Sequence, residues 1–391
     1  MKKIFFVAIA ATLLAAACQK TEVLNQVNPV DGTSMTFAPN MGKLTKAATA
    51  EGAGETNLSE QDFRLWAFYK ADDPQKGAAA NSVYDGMSNI IISDATGEWK
   101  ANTTHFWPGK GKELKFFAIS ADQATYGTGE GITVADSKVS INDDRTQMTV
   151  TDFTVIPSAP DTDLMVADYV EAKQKEADKG SNTVAFTFRH ALTKVQFSFR
   201  NTETKMPVYV QQMYVEEVNT VADLTVNGAV GETTMAWGTP ETPAIFAGDY
   251  APAEGTTLEP LVATEAENIS AWNTKVALDA ANNIKNYMEL TDEYEPFTTW
   301  LVIPQEVYKA GEGENAKPTK DLKVTIAYVI KSATETRQFI STFSLGSATI
   351  VPTWGPNQYV KYNINLTPNI IGFSATVAPW DETTGNTNIN E

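Results

Sequence analysis

The 391-residue sequence predicts an all-β protein built from two tandem antiparallel β-sandwiches. Three observations carry that expectation. Short runs of alternating apolar and polar residues recur along the chain. Gly, Pro, Asn and Asp separate them. Helical periodicity is almost absent. Alternation with period 2 marks strands with one buried face, and many such strands with frequent turn signals suit sandwiches.

In chain order, the first strand is expected at Met35-Thr36-Phe37-Ala38. Next, Phe63, Leu65, Ala67 and Tyr69 alternate with Arg64, Trp66, Phe68 and Lys70. Val184, Phe186 and Phe188 form a further run, as do Val195, Phe197 and Phe199. Later come Leu322, Val324, Ile326, Tyr328 and Ile330, then Val360, Tyr362, Ile364 and Leu366. The last run places Ile371, Phe373, Ala375 and Val377 on one face. Short helices are expected within Leu164–Lys179 and Ala266–Leu290, as appendages to the sheets. The polar stretch Glu171–Ser181 supplies the domain boundary, giving sandwiches over 35–180 and 181–391. The second includes the C-terminal strand and a polar tail.

The N-terminus reads as an export signal. Lys2 and Lys3 precede an apolar stretch, Ile4 to Ala17, that ends in small residues, so residues 1–17 form a signal peptide. That stretch would span about 21 Å as a helix, short of a ~30 Å hydrocarbon core. Leu14-Ala15-Ala16-Ala17-Cys18 resembles a bacterial lipobox, although Ala15 stands where a Leu is usual. The resemblance implies lipidation of Cys18 and a tether over residues 18–34. One acyl chain holds a protein to a membrane marginally and two anchor it stably. Gln19 rather than Asp follows the Cys, which points to the outer membrane or the cell surface.

Composition narrows the function. With 30 Lys+Arg against 48 Asp+Glu, the formal net charge is −18, which opposes binding to nucleic acid. A lone Cys excludes disulfides within the chain and Cys-based zinc sites. No cofactor or metal is expected, and no catalytic residue. Gly127-x-Gly129-x-Gly131 lacks the spacing, the Lys-Ser/Thr and the helix of a phosphate loop. The two histidines, His105 and His190, read as packed structural residues. Asp143 and Asp144, and the group Asp161, Asp163 and Asp168, lack EF-hand spacing and read as solvated loop acids. Trp66, Trp107, Trp300 and Trp380 lie in or beside strands, where packing is the usual role.

After the Cys18 motif come Met35-Thr36-Phe37, Leu44-Thr45-Lys46-Ala47, Phe63 to Tyr69, Phe106-Trp107-Pro108-Gly109 with Leu114 to Ala118, Asp163 to Ala167, and Phe188 to Val195. Leu301-Val302-Ile303-Pro304-Gln305 follows, then Trp354, Asn357 to Tyr359, Tyr362 and Ile364, and finally Phe373 to Val377 with Pro379-Trp380. In that order these segments resemble the fimbrillins of the Bacteroidales, the subunits of type V pili. The resemblance implies two transthyretin-like domains and assembly by donor-strand exchange. In that scheme a lipidated precursor reaches the outer membrane, a protease removes the N-terminal strand, and a neighbouring subunit refills the groove. Met35 to Ala38 is then the outgoing strand, and Ile371, Phe373, Ala375 and Val377 mark the donor. The alternative for that last run is an ordinary final strand of its own sandwich.

One departure concerns processing. The family's usual cleavage follows an Arg, and none of the five Arg lies between Cys18 and Phe63. Lys46 takes that position, with Lys43 second. An uncleaved form would keep its lipid anchor. The implied partners are other fimbrial subunits, the outer membrane, a processing protease and an adhesion ligand on host or bacterial surfaces. The competing reading is a cell-surface glycan-binding lipoprotein that does not polymerise.

Overall fold

A computed structural model describes residues 33–41, 62–94, 98–109, 111–120, 138–157, 163–175, 182–203, 205–229, 233–249, 287–312, 316–332, 336–368 and 371–380. Among them there is no α-helix, and nearly all regular structure is strand. The apolar residues of each alternating run named above lie in a strand, except that Met35 immediately precedes its strand and Leu322 sits between two.

The first sheet contains β1 (Thr36–Met41), β2 (Phe63–Tyr69), β3 (Ile90–Asp94), β4 (Trp99–Ala101) and β5 (Glu113–Ser120). It continues with β8 (Met165–Ala167), β9 (Val170–Lys173) and β10 (Thr183–His190). The strand order is β2-β3-β4-β1-β10-β8-β5, and β5 pairs back onto β2, so the hydrogen bonding closes a ring, with β9 added alongside β5. Phe37, Phe63, Leu65, Phe116, Val184, Phe186 and Phe188 fill it.

The remaining strands build two facing sheets. One runs β16 (Glu295–Val302), β11 (Thr193–Arg200), β23 (Gln358–Leu366), β24 (Ile371–Pro379). The other runs β21 (Thr336–Ser344), β20 (Lys323–Lys331), β12 (Val208–Asn227), β7 (Gln147–Thr154), β6 (Val139–Ile141). The long β12 also pairs with β13 (Thr234–Trp237), β14 (Glu241–Asp249) and β15 (Met288–Glu289). Two small ribbons complete the architecture: β17 (Gln305–Glu306) with β22 (Thr353–Trp354), and β18 (Tyr308–Lys309) with β19 (Lys320–Asp321).

The all-β expectation holds, and four details differ from the sequence reading. The helix expected over Leu164–Lys179 is replaced by β8 and β9, because Met165 and Ala167 point into the ring while Leu164 and Val166 pack on the other core. The helix expected over Ala266–Leu290 lies mostly outside the described residues, and its last part contains β15. Two pairings are parallel, β1 with β10 and β11 with β23, in sheets otherwise antiparallel. In each pair the partners lie far apart in sequence, so a long connection can return the chain in the same direction. Finally, strands cross the expected division at 180/181 in both directions. β10 pairs with β1 and β8 of the ring, whereas β6 and β7 extend the sheet of β12.

That exchange has a packing consequence. Trp66 and Phe68 of β2, with Phe117 and Ile119 of β5, leave the ring on its far side and join the larger core around β7 and β12. All seven side chains of β2 are buried, although half were expected to face water. The ring wall and the second unit therefore share one apolar layer. Burial of each large side chain there contributes roughly 1.5–3 kcal/mol.

Candidate strand-exchange site

β1 is one of the strands that close the ring, and it lies between β10 and β4. Along one side it pairs with β10 through six residue pairs, from Thr36↔Thr183 to Met41↔Phe188. Along the other it meets β4 at the single pair Phe37↔Trp99. A cleft of about 170 Å³, bordered by Met35, Phe37, Lys100 and Ala101, opens between those two strands. The seam between β1 and β4 is thus the thinnest hydrogen-bonded joint of the ring.

Short contacts fix the register of β1. The Met35 N–H donates to the His105 carbonyl at 2.8 Å, and the Trp107 N–H donates to the Thr33 carbonyl at 3.1 Å. Thr36 Oγ1 lies 2.7 Å from Thr183 Oγ1. Met35 and Phe37 are buried inside the ring, where the Phe37 ring stacks 6.2 Å from that of Phe186. The turn holding β1 is braced in turn. The Tyr84 hydroxyl donates to the Phe106 carbonyl, and Asp85 Oδ2 lies 3.0 Å from His105 Nδ1. Burial pushes the Tyr84 phenol above its ordinary pKa.

β24 has the matching pattern. Ile371, Phe373, Ala375 and Val377 lie opposite Leu366, Ile364, Tyr362 and Val360 of β23, all four of them buried. The four therefore face the core of their own sheet, as the alternation predicts. Among the described residues β24 pairs with no strand on its outer side. In both strands an aliphatic residue stands two positions before a Phe: Met35 and Phe37 in the β1 segment, Ile371 and Phe373 in β24.

The other predicted positions resolve as follows. Cys18, Lys43, Lys46 and Asp161 lie outside the described residues. Trp66, Trp107, Trp300 and Trp380 are all buried, which fits packing and removes them as sugar platforms. Asp168 pairs with Arg189, and Asp163 Oδ2 lies 2.5 Å from His190 Nδ1, so these acids hold cations or rings rather than water. Among the described residues no group of three His, Cys, Asp or Glu converges on a metal-sized site. The sequence reading did not find the β4 seam, because one residue pair leaves no local pattern.

A ring whose thinnest joint lies between β1 and β4 therefore stands beside a second unit that ends in a strand of similar pattern. The fimbrillin-like family profile matches residues 45–380, and the chain belongs to that family. Two solved structures are similar to it. A fimbrial protein from Bacteroides vulgatus is 16% identical with a TM-score of 0.50, covering 88% of this chain and 99% of its own. The tip fimbrial protein Mfa3 from Porphyromonas gingivalis is 10% identical with a TM-score of 0.38, covering 89% of this chain and 99% of its own. A comparison with curated proteins gives no match.

Proposed function

We propose that this protein is a structural and adhesive subunit of a type V fimbria, exported as an outer-membrane lipoprotein precursor and assembled by donor-strand exchange. Its work is mechanical, with no catalytic group. The observation that carries the reading is the ring closed at β4 by a single residue pair of β1. Cleavage at Lys46 or Lys43 would sever β1 from β2. Loss of β1 would then expose an apolar slot and the open edge of β10, and such an edge pairs with another chain unless refilled. Family membership supports the same reading.

The pattern match specifies a register. With Phe373 of a second copy in the place of Phe37, Ile371 takes the place of Met35, Ala375 that of Pro39 and Val377 that of Met41. Each inward side chain of the donor contributes roughly 1.5–3 kcal/mol, Ala375 less. A head-to-tail contact of this kind does not close and so builds a filament. The lipid on Cys18 would hold the precursor at the outer membrane, and an uncut subunit would stay there as an anchor.

Two experiments test this. In the register above, Thr376 replaces Asn40 opposite Thr187, so Thr187→Cys with Thr376→Cys should cross-link neighbouring subunits after a trypsin-like cut between β1 and β2. Heat-resistant oligomers with that cross-link are expected, and monomers only, after β1 has departed, would overturn the assembly reading. Separately, Cys18→Ala should abolish incorporation of labelled palmitate, and undiminished labelling would refute the lipobox.

A further inference from the structure

The body of β24 is held along one side by β23 and its end is anchored separately. Among the described residues the strand pairs only with β23, and of its nine side chains only that of Ala375 is fully buried. A cleft of about 450 Å³, lined by Phe343, Ile371 and Phe373 among others, opens between β24 and β21. Immediately after the strand, Trp380 is 7% exposed. Its backbone N–H donates to the Asn357 carbonyl at 2.9 Å, and the Asn357 backbone N–H donates to the Leu192 carbonyl at 3.1 Å.

The indole of Trp380 lies parallel to the imidazole of His190, with ring centroids 3.6 Å apart and an interplanar angle of 8°. His190 is fully buried, and its Nδ1 is 2.5 Å from Asp163 Oδ2, which fixes the plane of the imidazole. The Lys194 ammonium lies 5.9 Å from the indole centroid on the same cluster. His190 is the last residue of β10, the strand against which β1 lies, two residues beyond the pair Met41↔Phe188. One aromatic contact therefore joins the end of the slot strand to the end of the strand that matches the slot.

We propose that Trp380, stacked on the buried His190–Asp163 pair, is an autoinhibitory clasp that keeps β24 in its own sheet and withholds it from exchange. The inference rests on the donor role of β24 given above, and deepens it with a means of regulation. Edge strands open locally at a free energy well below global unfolding when few contacts hold them. Here the anchored indole adds to the pairing with β23 and to the contacts of Phe373 with Tyr362 and Phe343. Breaking the stack frees β24 while leaving β23 and β11 in place. The position of His190 on β10 also puts the clasp where departure of β1 would disturb it.

The test uses the uncut full chain and hydrogen exchange of its peptides, so that assembly is not required. Trp380→Ala should raise amide exchange in residues 371–379 by about 10–100-fold while β11 and β23 keep their protection. His190→Gln should do the same with Trp380 intact, and Trp380→Phe should restore most of the protection by stacking again. Unchanged exchange in β24, or an equal rise across β11, β23 and β24, would overturn the clasp. After the cut between β1 and β2, Trp380→Ala should form oligomers faster than the parent chain. If β24 is freed locally in both variants yet no chain ever forms oligomers, the clasp stands and the donor reading fails.

Discussion

Trp300 illustrates how an aromatic beside a strand becomes a packing residue in this protein. It is 1% exposed and touches the rings of Phe197 and Phe246 at centroid distances of 5.1 and 5.6 Å. Trp300→Ala should lower stability by about 3–5 kcal/mol, read as a reduced urea midpoint. Gly228 is constrained from the opposite direction. A Cβ there would sit 2.6 Å from the Tyr169 ring, so Gly228→Ala should cost about 1–3 kcal/mol by the same measurement. The buried tryptophans follow from their place in alternating runs. Nothing around Gly228 in the sequence announces Tyr169, and nothing around His190 announces Trp380, since both contacts join distant segments.

β1 and β24 show what the same alternation can and cannot specify. It sets which side chains face inward, because successive residues of a strand point to opposite faces. It does not set the partner. A synthetic peptide of residues 371–379 should bind the chain once β1 has been cut and removed, and not before. The same peptide with Phe373→Ala should bind at least about 10-fold more weakly by fluorescence anisotropy, a loss of about 1.4 kcal/mol. β2 marks the limit of the pattern. Arg64, Trp66 and Phe68 alternate as a water-facing row would, yet the row is buried against the second unit. The content of that row carries the hint, since two of its members are aromatic. β12 is a harder case, with register shifts in its pairings with β14, β20 and β7 that let one strand of 20 residues serve several neighbours.

The molecule as a whole should be sensitive to alkali. Burial raises the Tyr287 and Tyr359 phenols to about 12, and raises Tyr84, Tyr169 and Tyr362 as well. In the unfolded chain these groups ionise near pH 10. The folded state therefore keeps protons that the unfolded state releases, and stability falls as pH rises. The contribution is fully present below about pH 10 and is lost as pH climbs through the raised folded values. Melting temperature should be flat with respect to these groups below that point and drop above it, with tyrosinate absorbance at 295 nm lagging that of the unfolded chain. A tyrosine titration complete by pH 10 in the folded protein would contradict the burial of these phenols.

Strand content and the inward faces of the main strands follow from the sequence itself, because side-chain alternation is a property of the extended backbone and needs no partner. The order of the family's motifs is likewise written along the chain. Closure of the ring by β1, the apolar wall shared between the units and the stack of Trp380 on His190 arise from contacts between segments far apart, as Thr36 and Thr183 are, 147 residues from one another. Such pairings are chosen by the fit of whole surfaces and by the geometry of long connections, which no local pattern contains.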